Sequence, residues 1–417
     1  MPTPSARLSL TLLAIAALLA GCARPYATPA YDSSPPAKPG DIAFHGIVDE
    51  LGAQPLDVLL VHGMCTHDEK WAKESVESLY KAAGGGPDTV NLKASVVQDT
   101  DIQLFQQTLT TSYGQLRANA IVWSPLTTPL KKQLCFDQTV KLDEKDNKNA
   151  YCKTPEETKP YPYARAGSLN RMLKDEILDD CLADAMAYQG QSREEMSARV
   201  QRAILVALAT SGGTGEAGQR QQAMVAALEA TASPLIIVTD SLGSKVTFDA
   251  IWKLSEDAAT QRAVQRTLDR TTQIFMRANQ LPILALADQA IEPRLTKKAS
   301  AASGGAAASR QDPPRYPSDP LGALFNSRLF SARNGLRGQA PSIVAFTDPN
   351  DLLSYILVPS PHRERWGYPV IDVVVSNADT YIGLVERPDI AHTGYSGNRT
   401  VAEHIACGKP VSARCKR

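Results

Sequence analysis

An apolar run followed at once by a tight turn and a helical pattern restricts the fold of this chain more than any other feature. The run is Leu235 to Val238, and after the turn at 239–243 apolar residues stand at 246, 248, 251 and 252. The hydrophobic period therefore changes from that of a strand to that of a helix. Such a turn holds Ser241 at the end of a sheet, where the free N–H groups of the following helix also point.

Other strand-like runs alternate with helical patterns along the chain. They are the region of Val48, Leu56–Val61, Asn119–Trp123 behind a hairpin turn centred on Gly114, Gln273–Met276, Ile343–Phe346 and Ile371–Val375. Alternation of this kind predicts an α/β fold with a mainly parallel sheet and helices on both faces.

Three further motifs follow predicted strands. The run Leu56–Val61 ends in His62-Gly63-Met64, and Asp348 and Asp351 come soon after Ile343–Phe346. The loop after Ile371–Val375 reaches His392. A serine hydroxyl is a weak nucleophile that needs a base within hydrogen-bond reach, and the base needs an acid to orient it. The carboxyl ends of these strands supply one residue of each kind, with the acid still open between Asp348 and Asp351.

In these motifs the chain resembles the α/β-hydrolase superfamily, in particular its lipase- and esterase-like members. The resemblance spans about residues 42 to 408, and four short motifs carry it: His62-Gly63, Ser241-Leu242-Gly243, an acid after a late strand, and a final His. The order serine, acid, histidine is that of this superfamily. Thr239 departs from the pattern, because it stands where the first glycine of G-x-S-x-G is usual.

The resemblance implies an α/β-hydrolase fold with an inserted cap, and a serine hydrolase that cleaves carboxylic esters. Ser241 is then the nucleophile and His392 the base. Asp351, followed by two leucines as in the family, is favoured as the acid, while Asp348 before Pro349 is also able to cap its own turn. The backbone N–H groups of Met64 and Leu242 would bind the oxyanion.

Two other interpretations use the same residues. The chain would be a catalytically silent envelope lipoprotein that uses the fold as a binding module, or a thioesterase or acyltransferase with the same triad. No cluster of His, Cys and Asp has the spacing of metal ligands, so we expect neither a metal nor a cofactor. Lys plus Arg and Asp plus Glu are equal at 44 each, which gives no reason to expect nucleic acid as a partner.

The N-terminus resembles the signal peptide of a bacterial lipoprotein. A short segment with one positive charge precedes the apolar stretch Leu8–Ala20, which ends in Leu19-Ala20-Gly21-Cys22. The resemblance implies that residues 1–21 are removed and that Cys22 is lipidated. Residues 22–40 are then the lipidated cysteine and a flexible tether rich in Pro, Ser and Ala. Because Ala23 is not Asp, we expect an outer-membrane anchor facing the periplasm or the cell surface.

The remaining residues, 41–417, are expected to form one hydrolase domain with two insertions. The strand pattern lapses over about 124–208, which is interpreted as the cap, and about 297–320 is rich in Ala, Ser, Gly and Pro and is interpreted as a disordered loop. Six cysteines remain beside Cys22, and they allow 15 pairings. In an oxidising compartment the pairs Cys65–Cys181, Cys135–Cys152 and Cys407–Cys415 are favoured.

Overall fold

The computed structural model describes residues 22–86, 88–137, 152, 167, 170–171, 173–209, 217–289, 316–326, 341–358, 368–381 and 386–415. Its strands are β1 (Cys22–Ala23), β2 (Ala30–Ser34), β3 (Leu56–Val61), β4 (Lys93–Val96), β5 (Gln103–Thr111), β6 (Gly114–Val122), β7 (Leu235–Asp240), β8 (Thr271–Arg277), β9 (Ser342–Thr347), β10 (Val370–Val374) and β11 (Thr380–Tyr381).

Nine of these strands form one sheet, in the order β2-β10-β9-β8-β7-β3-β6-β5-β4. The six strands from β10 to β6 in this order are parallel. The outer strands β2 and β5 run antiparallel to their inner neighbours, and β4 pairs antiparallel with β5. The central strands β3 and β7 are apolar along almost their whole length because helices cover both of their faces.

The helices are α1 (Ile47–Glu50), α2 (Glu69–Ala82), α3 (Thr128–Lys131), α4 (Ala183–Gln189), α5 (Arg193–Leu208), α6 (Ala217–Ala230), α7 (Leu242–Glu256), α8 (Gln261–Arg270), α9 (Leu281–Leu284), α10 (Pro320–Phe325), α11 (Pro388–Thr393) and α12 (Arg399–Cys407). A π-helix spans Leu173–Leu182 and leads directly into α4. Short 3-10 turns cover Ser124–Leu126, Lys132–Asp137, Ala285–Asp288, Gly394–Ser396 and Ala413–Cys415.

Two hydrophobic cores lie on the two faces of the sheet. Leu59 and Val61 of β3 point to the face covered by α5, α7 and α8. Val58 and Leu60, one residue out of step, point to the face covered by α1, α2 and α12. This alternation follows from the two-residue period of a strand. The sequence-based prediction of an α/β fold with a mostly parallel sheet and helices on both faces is therefore confirmed.

Two expectations for the N-terminal part of the chain are wrong. The region of Val48 is not a strand but the short helix α1, whose Ile47 and Val48 are buried. The expected tether contains β2, which forms five residue pairs with β10 at the edge of the sheet. Polar residues suit this position because an edge strand is held by backbone hydrogen bonds and buries only part of its side chains. The segment is therefore partly built into the domain.

The two expected insertions also have different limits. Helix α5 lies within the expected cap, yet it packs against α7, β3 and β6 as one of the layers of the domain. An inserted cap, as the sequence predicts it, would therefore end near residue 190. Of the expected disordered loop, 297–315 lie outside the described residues, while 316–320 are ordered, with Tyr316 buried and Pro320 beginning α10.

All three favoured disulfides are present: Cys65–Cys181, Cys135–Cys152 and Cys407–Cys415. The first joins the loop after β3 to the π-helix. In the part of the chain that the structure describes, no helix has both the length and the apolar character needed to cross a bilayer.

Candidate active site

Ser241 occupies a strained turn between β7 and α7. Its φ is 49° and its ψ is −124°, a conformation that residues other than glycine rarely adopt. The backbone N–H of Ser241 donates to the carbonyl of Arg277 at 2.7 Å, and its carbonyl accepts from Ser244 at 3.2 Å. Such strain persists only where neighbouring structure imposes it. Here it directs the Ser241 side chain out of the carboxyl end of the sheet.

Thr239, which stands where glycine is usual, fits into the turn with its side chain buried. Its side chain is fully buried, and its Oγ1 lies 2.8 Å from Oγ of Ser244 on the first turn of α7. The bulkier side chain therefore links the strand to the helix on either side of Ser241.

Two glycines are required because backbones approach each other closely at this turn. A Cβ on Gly63 would lie 2.6 Å from Cβ of Ser241, and a Cβ on Gly243 would lie 2.3 Å from the carbonyl oxygen of His62. Real Cβ atoms do not make such contacts, so the loop after β3 packs directly against the turn that carries Ser241.

Ser241, His392 and Asp351 form a continuous hydrogen-bonded chain. Oγ of Ser241 lies 3.1 Å from Nε2 of His392. Nδ1 of the same ring lies 2.9 and 3.0 Å from the two carboxylate oxygens of Asp351. All three residues are buried. Ser241 and Asp351 follow the carboxyl ends of β7 and β9, and His392 lies in the segment after β10. The geometry permits proton transfer from the serine to a histidine whose ring is fixed by a carboxylate.

Tyr395 fixes the position of Asp351, and sequence reasoning gave it no role. Its hydroxyl donates to Oδ2 of Asp351 at 3.0 Å and accepts from the backbone N–H of Asp348 at 2.7 Å. Burial and then the charge of Asp351 raise the pKa of Tyr395 well above its ordinary value, so the hydroxyl stays protonated. The available signal in the sequence was the spacing of His392 and Tyr395, because residues three apart on helical turns share a face.

Asp348, the alternative acid, is engaged elsewhere. Its carboxylate accepts from the backbone N–H of Asn350 at 2.9 Å and from that of Asn377 at 2.5 Å. Burial raises its pKa. Asp348 therefore shapes the turn that presents Asp351 and bonds the loop that precedes His392, which is the capping role considered for it.

His62 is a structural residue of the loop after β3. Its Nε2 accepts from the backbone N–H groups of Trp123 at 2.8 Å and Ser124 at 3.1 Å, so the ring hydrogen is on Nδ1, which donates to the carbonyl of Gly63 at 2.6 Å. The ring stacks on Trp123 with centroids 4.6 Å apart. Burial lowers the pKa of His62 well below its ordinary value, which keeps the ring neutral.

The backbone N–H groups of Met64 and Leu242 are the candidate oxyanion donors. Within the described residues neither has a hydrogen-bond acceptor. Met64 lines a cavity of about 60 Å³ together with Ser241 and His392, and Leu242 begins α7 directly after Ser241. Both groups are thus free to bind a ligand beside Ser241, and the helix N-terminus favours negative charge there.

An ion pair forms one wall of the same cavity. Arg277 donates to both carboxylate oxygens of Asp240, which also accepts from Nε1 of Trp71 at 3.1 Å. Sequence reasoning gave Asp240 no required role, and it did not single out Arg277, which ends β8. The pair locks the residue before Ser241 to the neighbouring strand.

A buried polar cluster supports the loop that carries Met64. Asp180 of the π-helix accepts from the backbone N–H and the hydroxyl of Thr66, at 3.0 and 2.6 Å. Lys131 donates to Asp180 at 2.8 Å and to Asp184 at 3.2 Å. Two carboxylates thus face one ammonium group, and burial raises the pKa of Asp184 to about 6. The Cys65–Cys181 disulfide links the same two segments covalently.

The remaining candidate residue is Cys22, which the sequence marks for lipidation. Cys22 begins β1 and pairs with Tyr381. No protein-family model, curated protein or solved structure matches this chain.

Proposed function

We propose that this protein is a serine hydrolase of the α/β-hydrolase type that cleaves carboxylic esters through an acyl-enzyme. The observation that carries the proposal is the hydrogen-bonded chain from Ser241 through His392 to Asp351. The strained backbone of Ser241 and the free N–H groups beside it support the same assignment.

In the proposed reaction, Oγ of Ser241 attacks the ester carbonyl while Nε2 of His392 takes the hydroxyl proton. Asp351 holds the ring with its Nδ1 hydrogen toward the carboxylate and stabilises the resulting imidazolium. The N–H groups of Met64 and Leu242 bind the oxyanion. His392 returns the proton to the departing alcohol, and water then attacks the acyl-enzyme by the same route to release the acid and free Ser241.

We further propose that the enzyme is a lipoprotein anchored through Cys22 to a membrane of the bacterial envelope. The lipobox-like sequence before Cys22 supports this. Cys22→Ser is expected to block processing or to move the protein from the membrane fraction to the soluble fraction. A Cys22→Ser protein that is processed and membrane-bound like the parent would exclude the anchor.

The test of the hydrolase is turnover of p-nitrophenyl acetate and butyrate by the purified protein. Ser241→Ala is expected to lower kcat by at least about 10⁴-fold. The matched control is Ser244→Ala, which removes a buried hydroxyl one turn further along α7 and is expected to retain turnover. Equal rates for the parent and Ser241→Ala would exclude Ser241 as the nucleophile.

A further inference from the structure

The residue proposed to carry the lipid is paired with the loop that carries His392. Cys22 and Ala23 of β1 form a ladder with Tyr381 and Thr380 of β11. Strand β11 lies between β10 and α11, the helix that contains His392. The first residue of the mature chain would therefore be attached to the same loop as the base of the triad.

Side-chain contacts strengthen this attachment. Arg24 pairs with Asp379 at 2.5 Å, and the backbone N–H of Tyr26 donates to Oγ of Ser376 at 3.1 Å. Asn377, between these two partners, donates to the carbonyl of Ala391, the residue before His392. Residues 22–26 are thus held to the protein body a short way from the triad.

The N-terminal segment then reaches the sheet at the catalytic edge. Ala30 of β2 pairs with Val374, the last residue of β10. Ser241 and Asp351 follow the carboxyl ends of β7 and β9 at this same edge. The candidate anchor and the candidate active site therefore share one edge of the molecule.

The exposed apolar side chains are concentrated at this edge too. Of the eleven large hydrophobic residues that are exposed among those the structure describes, nine lie in segments that follow the carboxyl ends of β6, β8 and β9. Four are in the cap, and the remaining five, called here the apolar rim, are Ile283, Leu286, Leu352, Tyr355 and Ile356. A concentration of this kind marks an interaction surface.

The two parts of the apolar rim adjoin each other. The backbone N–H of Tyr355 donates to the carbonyl of Asn279 at 2.8 Å, and the Asn279 side chain donates back to the carbonyl of Tyr355 at 3.1 Å. The cap joins them through Gln189, which donates to the carbonyl of Leu284 at 3.1 Å. The exposed apolar residues thus belong to connected segments at the edge of the sheet that carries the triad.

We propose that the catalytic edge rests on the lipid bilayer in which the acyl chains of Cys22 are embedded, with the apolar rim in the headgroup region. This inference rests on the lipid anchor proposed above. Because β1 and β2 are paired with the domain, the anchor fixes the orientation of the domain and brings the triad to the bilayer surface. Apolar burial at the rim adds to the membrane affinity of the acyl chains. The substrates are then esters carried at that surface.

The test places one tryptophan on each end of the sheet in the processed, lipidated protein. Leu352 is 67% exposed at the apolar rim, and Val411 is 51% exposed at the opposite edge, where the carbonyl of nearby Arg414 accepts a hydrogen bond from Tyr113 in the turn before β6. Leu352→Trp and Val411→Trp are reconstituted in vesicles of phosphatidylethanolamine and phosphatidylglycerol with brominated acyl chains. We expect the added emission at 352 to be largely quenched and that at 411 to be unquenched.

Leu286→Trp, at a site 64% exposed and further from Asp351, repeats the test if the 352 variant fails to fold. Equal quenching at the rim and at 411, or none at the rim, would overturn the proposed orientation. Flotation with the vesicles and hydrolysis of p-nitrophenyl butyrate are measured on the same samples. Rim quenching without hydrolysis would support the orientation and reject the hydrolase, whereas hydrolysis by a floating protein with an unquenched rim would reject the orientation alone.

Discussion

The hydroxyl of Tyr395 donates a hydrogen bond to the carboxylate of Asp351 and accepts one from the backbone N–H of Asp348. One side chain therefore holds the proposed acid and closes the turn on which that acid stands. Because the carboxylate of Asp348 is occupied by the N–H groups of Asn350 and Asn377, only Asp351 faces His392. We therefore propose that Tyr395 is a positioning residue for the triad.

Tyr395→Phe is expected to lower kcat by about 10- to 100-fold, with little change in KM, because Asp351 loses a hydrogen bond to a charged group. Tyr80→Phe is the matched control. The Tyr80 hydroxyl also donates to one backbone group and accepts from another, the carbonyl of Thr110 and the N–H of Gly86, near the amino end of β6 and away from the edge that carries Ser241. Steady-state kinetics of both variants test the positioning role of Tyr395, and an equal kcat for the two variants would contradict it.

The two neighbouring acids are expected to respond differently to the same substitution. Asp351→Asn removes the group that fixes the tautomer of His392, and kcat should fall by about 10⁴-fold. Asp348→Asn weakens the bonds to two backbone N–H groups, so it should lower the free energy of unfolding while kcat stays within about tenfold of the parent. Ester turnover and urea unfolding are measured for both. The reverse pattern in kcat would make Asp348 the acid.

The buried carboxyl group of Asp184 makes the free energy of unfolding depend on pH. Its pKa of about 6 in the folded protein lies above the unfolded value of about 4, so protonation favours the folded state and the associated stability is lost as pH rises from about 4 to above 6. Asp184→Asn should therefore gain stability relative to the parent over this range, on the order of 3 kcal/mol. Urea unfolding from pH 4 to 8 tests this, and parallel curves for the two proteins would refute it.

The Cys65–Cys181 disulfide should matter for catalysis as well as stability. It spans 116 residues and holds the residue next to Met64, whereas Cys407–Cys415 spans 8 residues away from the site. Chain entropy predicts losses of about 5 and about 2.5 kcal/mol on replacing each pair by serine. Only the first replacement should lower kcat, measured where both variants are folded. An unchanged kcat would show that the oxyanion loop is ordered without the disulfide.

The sheet and the site were predictable where one local pattern determined the structure. The buried run before Ser241, the helix after it and the strand ends at Asp351 and His392 each follow from hydrophobic period and chain order. The prediction of a flexible tether was wrong because the sequence of β2 has no apolar run. This segment forms a strand only because it pairs with β10. The sequence places helix α5 in the cap because the strand pattern lapses there, and its packing against α7, β3 and β6 depends on residues that are distant in sequence.

The interactions that tune the site were not predictable from pattern. The bond from Tyr395 to Asp351 and the ion pair between Arg277 and Asp240 join residues that only the fold brings together. The choice between Asp348 and Asp351 likewise depends on which carboxylate the turn directs to His392, which the strand-end position alone leaves open.

The most direct test of the account is labelling of the purified protein with a fluorophosphonate, followed by mapping of the modified peptide by mass spectrometry. The account predicts one phosphonyl group per chain, attached to Ser241, with labelling lost in Ser241→Ala, strongly slowed in His392→Ala and retained in Ser244→Ala. Absence of labelling in the folded parent protein, or attachment to a different residue, would contradict the proposal that Ser241 is the nucleophile of a serine hydrolase.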